Sequence, residues 1–168
     1  GQVLLERGLL RPAEVLEFIP GMVVTQHSGE GKANQYFLRG MNLDHGTDFA
    51  TTVNGVPVNL PTHAHGQGYT DLNVLIPELV GRVDYRKGPY RAQDGDFSSA
   101  GSANISYRTR LEQPMLASTV GQHGYLRSLL AGSGGLAEDV TLLAALGSLN
   151  HDGPWTVPEG LQRRNGLL

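Results

Sequence analysis

Residues 60–73, "LPTHAHGQGYTDLN", place two of the chain's six histidines two positions apart, at His63 and His65. Neutral imidazole is a ligand for zinc, copper and nickel, so a His-x-His pair supplies two metal ligands from one short segment. The same pair also reads as the polar tip of a loop, because Pro61, Gly66 and Gly68 surround it. His63 and His65 are therefore candidate metal ligands, but their spacing alone is not the signature of a closed site. Two other groupings fall short of chemistry. "GEGKAN" has the glycines and lysine of a phosphate cradle but lacks the Gly-Lys-Ser/Thr order, and reads as a turn. Ser98, Ser99, His63 and Asp71 contain a nucleophile, a base and an orienter, yet no spacing among them supports one catalytic cleft. The reading is of a protein that is not an enzyme and needs no cofactor.

The bulk numbers narrow the class. The chain has 168 residues, with 13 basic and 16 acidic side chains and a net charge of −3. That balance gives no electrostatic footprint for nucleic acid. Cysteine is absent, which excludes disulfides, thiolate metal sites and a cysteine nucleophile. Glycine reaches 23 residues, about twice the usual share, and implies many turns and close backbone approaches. No apolar run reaches the ~18 residues of a membrane-spanning helix. The opening "GQVLLERG" and closing "RRNGLL" read as cuts in a longer chain.

The elements that must hold the histidines follow from local pattern. "RPAEVLEFIPG" predicts a helix, with Pro12 in its first turn, Glu14 on the dipole's positive end and Pro20-Gly21 as its stop. Val15, Leu16, Phe18 and Ile19 form its apolar face. "MVVTQ" and "QYFLRG" predict strands on either side of a glycine-rich loop, "HSGEGKAN". In "ATTVNGVPVN", Asn54-Gly55 predicts a tight hairpin of type I′. "TDLNVLIPELVG" predicts a short second helix interrupted by Pro77, with Thr70 or Asp71 as its cap. "RVDYRKG" and "NISYRTR" predict two more strands. After about residue 112 the texture changes to long β-type stretches, "LASTVGQHGYLRSLLAGSG" and "DVTLLAALGSLNHDGPW". There Val140, Leu142, Ala144 and Leu146 fall on one face, as in a lipid-facing barrel strand.

Four stretches, taken in order, resemble the plug domain of a TonB-dependent outer-membrane receptor followed by the first strands of its barrel. "RPAEVLEFIPGMVV" resembles the plug's opening helix and strand. "YFLRGMN…TTVNGVPV" resembles the family's "IRG" strand and "DGVPV" hairpin. "LIPELVGRVDYRKGP" resembles its "IERVEVLRGP" segment, with Lys87 in place of the arginine. "GDFSSAGSANISY" resembles the closing strand, with Ser and Asn where many plugs have Gly and Val. The resemblance implies an α+β fold: a small mixed-sheet plug with two short helices over residues 1–112. The start of a truncated transmembrane β-barrel follows over residues 113–168.

The resemblance also implies function, partners and site residues. The function is uptake of a scarce nutrient, such as a ferric siderophore, haem, cobalamin, metal or glycan, across a Gram-negative outer membrane. The partners are the receptor's own barrel, a small-molecule or metal-chelate cargo, and TonB acting through an N-terminal box expected before Gly1. Asp44, His45, Asp48, His63, His65 and Tyr69 become candidate cargo contacts on apical loops. Arg39 and Lys87 become candidates for pairing with barrel carboxylates, since a cation in a partly dry lumen needs an acidic partner. A periplasmic or secretin-like adaptor module is the alternative, and the barrel-type strands after residue 112 argue against it.

Overall fold

The computed structural model describes residues 7–9, 11–27 and 29–168. Residues 1–6, Leu10 and Ser28 lie outside the described residues, and with them the first residues of the expected plug and one position of the glycine-rich loop. The chain divides into two units, one of residues 1–27 and 32–107, the other of residues 28–31 and 108–168.

In the first unit, Pro12–Phe18 is helical, but as a 3-10 helix. Seven residues between a proline and Pro20-Gly21 are too few for a cooperative α-helix, and short pieces settle into the tighter form. Val15, Leu16 and Ile19 are fully buried beneath it. Glu14 caps its start by accepting the Arg11 N–H at 3.2 Å, and Glu17 accepts the Val24 N–H at 3.0 Å. Strand β1 (Met22–Thr25) then pairs antiparallel with β2 (Gln35–Leu38), which pairs with the two-residue β3 (Met41–Asn42). The sides alternate: Met22 and Val24 face in, as do Tyr36 and Leu38.

The second sheet has the order β5-β4-β7-β6, from β4 (Phe49–Val53), β5 (Val56–Pro57), β6 (Val80–Lys87) and β7 (Gly101–Tyr107). Asn54 and Gly55 both have positive φ, 50° and 80°, the conformation of the type I′ turn that their sequence predicts. β4 and β7 run parallel, with Phe49 beside Gly101 and Val53 beside Ile105. β6 pairs antiparallel with β7. The predicted second helix is reduced to a 3-10 turn at Pro77–Leu79. Pro77 disfavours helical backbone at the residue before it, so the helix starts at the proline rather than running through it. A further 3-10 turn spans Ala92–Asp94. Val15, Leu16, Tyr36, Phe49, Leu72, Val80 and Ile105 meet in one buried cluster.

The second unit is an up-and-down sheet of four antiparallel strands: β8 (Met115–Val120), β9 (Leu126–Ala137), β10 (Val140–His151) and β11 (Leu161–Leu167). The first long β-type stretch is thus two strands, split by the turn at residues 121–125. Leu116 stands opposite Leu130, and Leu130 opposite Leu146, so one row crosses three strands. All three are exposed, at 82, 56 and 68%. Their neighbours on the opposite face, Leu129, Ala131 and Ala145, are buried. A water-facing sheet would put its polar side chains where these leucines stand.

Two tyrosines give the first unit a defined alkaline response. Burial first, then the charges of Asp71 and Tyr69, pushes the Tyr36 phenol well above the ordinary tyrosine range. Burial also raises Tyr107, partly offset by the N–H of Ile76 donated to its oxygen. Above about pH 10 the unfolded chain releases these protons while the folded chain keeps them, so folding stability falls as pH rises. The urea midpoint of the protein is expected to drop steadily from about pH 9 upward, and Tyr36→Phe to flatten that slope. An unchanged slope in the variant would assign the alkaline loss to other groups.

Candidate functional site

The histidines converge through two loops and the segment after β1. Residues 43–47 form a tight turn, with the N–H groups of Gly46 and Thr47 donating to Leu43 O at 3.0 and 3.1 Å. Asp44 takes a positive φ of 52° there, and its N–H donates to Asn42 Oδ1 at 2.8 Å. The backbone is clamped on both sides: Tyr36 N–H donates to Asp44 O at 2.9 Å and Thr70 N–H to His45 O at 2.8 Å. These bonds fix the direction in which Asp44 and His45 project.

The second loop, residues 60–69, closes at its base. Leu60 N–H donates to Tyr69 O at 2.9 Å and Gly68 N–H to Leu60 O at 2.8 Å. It docks on the first so closely that only glycine fits at two points. A Cβ on Gly46 would lie 2.5 Å from Thr70 Oγ1, and one on Gly68 would lie 2.9 Å from Thr47 Cα. Buried Asn59 ties the assembly together. Its Oδ1 accepts the Thr51 N–H at 2.7 Å. Its Nδ2 donates to Gly46 O, Phe49 O and Gly68 O, each at 3.0 Å.

His45 is buried, and its ring is oriented by the loop that leads into β2. Nδ1–H donates to Ala33 O at 3.1 Å and Asn34 O at 3.0 Å. In the neutral ring this leaves Nε2 as a lone pair. His27 Nε2 lies 3.1 Å from it, and Asp44 Oδ1 lies 3.7 Å from it. The His65 ring meets His45 edge-on at 4.5 Å between centroids. One ligand atom each from Asp44, His45 and His65 falls within 4.8 Å of the others. Tyr69 forms the wall behind them, with its hydroxyl accepting the Ala33 N–H at 2.8 Å.

The remaining candidates lie elsewhere. His63 and His65 both pack on Tyr69, His63 flat and His65 edge-on. Their segment is bent, His63 stacks on Tyr69 at 3.9 Å, and its Nδ1 accepts the His65 N–H at 3.1 Å. Asp48 is bonded by the Ser99 hydroxyl. Arg39 is exposed at a positive φ of 52°, with its N–H donating to Gly21 O at 2.8 Å. Lys87 is half-buried at the end of β6, with Nζ 5.8 Å from the centre of the Tyr85 ring. His27 and Asn59 were not among the residues singled out from the sequence. No local spacing connects His27 to His45, 18 positions away. Asn59 carries only the weak signal of an asparagine next to a proline-led loop.

The profile of the family described as the TonB-dependent receptor plug domain matches residues 1–102. The chain belongs to this family. Solved structures with a similar fold include the ferric enterobactin receptor PfeA of Pseudomonas aeruginosa, at 20% identity and a TM-score of 0.63, over 87% of this chain and 23% of that one. The copper transporter OprC matches at 21% identity and a TM-score of 0.61, over 84% of this chain and 21% of that one. The ferric yersiniabactin uptake receptor FyuA of Yersinia pestis matches at 20% identity and a TM-score of 0.59, over 90% of this chain and 24% of that one. The plug family chain described here thus spans less than a quarter of each of these proteins.

Asn59→Ala is expected to lower stability by about 2–4 kcal/mol, because a buried N–H and several carbonyls lose their partner together. A urea-midpoint comparison with the parent at equal denaturant dependence measures it. A loss under about 1 kcal/mol would mean water or relaxation replaces the amide.

Proposed function

We propose that this chain is the plug and first barrel strands of a receptor for TonB-dependent uptake across a Gram-negative outer membrane. On this reading residues 1–112 are the plug and residues 113–168 begin the barrel. The observation that carries it is the exposed row Leu116, Leu130 and Leu146, which runs across neighbouring strands at one height. An apolar outer face with the opposite face buried is the arrangement of a sheet that meets lipid. β9 and β10 each have 12 residues, enough to cross the hydrocarbon layer when tilted. The tight turn between them at Glu138-Asp139 fits the periplasmic side, and the longer connections at 121–125 and 152–160 fit the external side. A periplasmic adaptor would have no use for that leucine row.

The plug closes the barrel, and work transmitted through TonB opens a path past it. No covalent chemistry is involved. Arg39 and Lys87 seat the plug by meeting carboxylates of the barrel wall. Arg39 is the better suited, since its planar fork binds a carboxylate at two points. The proposed cargo is a metal or metal chelate, a reading supported by the structural neighbours, whose names give ferric enterobactin, ferric yersiniabactin and copper. Asp44, His45, Asp48, His63, His65 and Tyr69 are the proposed cargo contacts.

In the intact receptor, deleting residues 8–110 is expected to leave a pore permeable to bulky antibiotics without TonB. Unchanged antibiotic sensitivity would rule out a gating plug. Separately, Leu130→Arg is expected to impair insertion, with a cost of about 2–4 kcal/mol if the position lies near the bilayer midplane. Normal amounts of heat-resistant, membrane-inserted receptor would remove Leu130 from the lipid face.

A further inference from the structure

We infer that Asp44, His45, His65 and His27 form a binding site for a divalent transition-metal ion of the zinc, copper and nickel class. The inference rests on the uptake reading above and names the ligand that its plug recognises. Each group has the properties of a ligand. His45 is held as metal-binding histidines are held: one ring nitrogen donates to backbone carbonyls, which fixes the tautomer and aims the other nitrogen outward. His27 Nε2 and Asp44 Oδ1 both lie beside that free nitrogen, Nε2.

One separation already fits a shared ion, and the others lie within the reach of exposed side chains. Metal–nitrogen bonds of about 2.0–2.1 Å place neighbouring ligand atoms roughly 2.9–3.4 Å apart, depending on whether the angle is octahedral or tetrahedral. The His27 and His45 Nε2 atoms are 3.1 Å apart, inside that range. Asp44 Oδ1 is 3.7 Å from His45 Nε2, and the His65 ligand atom is within 4.8 Å of both Asp44 and His45. Asp44, His65 and His27 are exposed, so their side chains have room to close the remaining distance onto the buried His45. Without metal, the 3.1 Å contact is a hydrogen bond in which His27 Nε2–H donates to His45 Nε2. Binding puts the ion where that proton stood, so His27 takes the other neutral tautomer, with its single ring proton on Nδ1 and Nε2 as the ligand.

The ligand set selects the ion. Three imidazoles and one carboxylate suit zinc, copper(II) or nickel and disfavour magnesium and calcium, which take oxygen ligands. A ferric siderophore whose iron is already surrounded by oxygen offers no position to these side chains. The cargo at this site is therefore the ion itself, or one held by ligands that it can exchange. The site also differs from the expected His63–His65 pair, since His63 is stacked on Tyr69 and its Nδ1 is taken by the loop's own backbone.

The test uses the intact receptor in detergent, stripped of metal, titrated with Zn²⁺, Cu²⁺ and Ni²⁺ by calorimetry. One equivalent is expected to bind for at least one of these ions. His65→Ala and Asp44→Asn are each expected to weaken it at least ten-fold, and His27→Ala/His65→Ala to abolish it. All three positions are exposed, and circular dichroism confirms that the variants fold. His123→Ala, outside the site, is expected to leave binding unchanged. No stoichiometric binding by the parent, or parent-like binding by the double variant, overturns the site. A receptor that binds no metal but leaks when residues 8–110 are deleted loses this site and keeps the uptake reading. One that binds metal yet shows no leak on deletion keeps the site and loses the gating reading.

Discussion

The parallel pairing of β4 with β7 is the constraint on which the first unit depends. Two adjacent parallel strands cannot be joined by a turn, so the chain must leave the end of β4, travel, and return to the start of β7. Residues 54–100 make that journey, carrying β5, the 60–69 loop and β6. β6 comes back antiparallel along β7 and closes the sheet on that side. The loop with His63 and His65 is thus an excursion from a crossover the sheet requires. Asn59 stands where the excursion begins, and its amide pins the loop's base to the end of the turn that carries Asp44 and His45.

Much of this scaffold was legible in the sequence because it rests on short-range chemistry. Asn54-Gly55 announces its turn, since few other residue pairs accept two positive φ values. Strands β1 and β2 alternate buried and more exposed residues along their length. The helices were legible in position and not in type: the prolines that mark Pro12–Phe18 and Pro77–Leu79 also keep them too short for α geometry. The split of the first barrel-type stretch was hidden because "VGQHGYL" carries its turn in glycines that also suit a strand of small residues. The histidine cluster was only half legible. Asp44, His45 and His65 stood out by residue type, but His27 joins them through the β1–β2 pairing. Long-range packing decided that, and no local spacing encodes it.

The two units obey opposite rules with the same residue types. In the first, apolar residues such as Leu16, Ile19, Leu43 and Ile105 are buried in one core, and polar groups that must be buried, such as Asn59 and Thr70, are bonded on several sides. In the second, leucines line the outward face and small residues such as Ala131 and Ala145 lie inward. The modest overall hydropathy conceals this, because a polar first unit averages against an outward-greasy second one. Face by face, the two units distribute the same residue types in opposite ways.

The contact between the loops at Gly46 and Gly68 bears on how such a receptor diversifies. With backbone and Thr70 within 3 Å of where a side chain would begin, neither position can drift to another residue while the loops stay docked. Lengthening either loop at its base would also part them. Change is therefore channelled to the loop tip, residues 61–67, and to the exposed Asp44 and His27. On the proposed uptake reading, a lineage acquiring a new cargo would alter these few side chains on an unchanging backbone, and its descendants would still share the same two glycines.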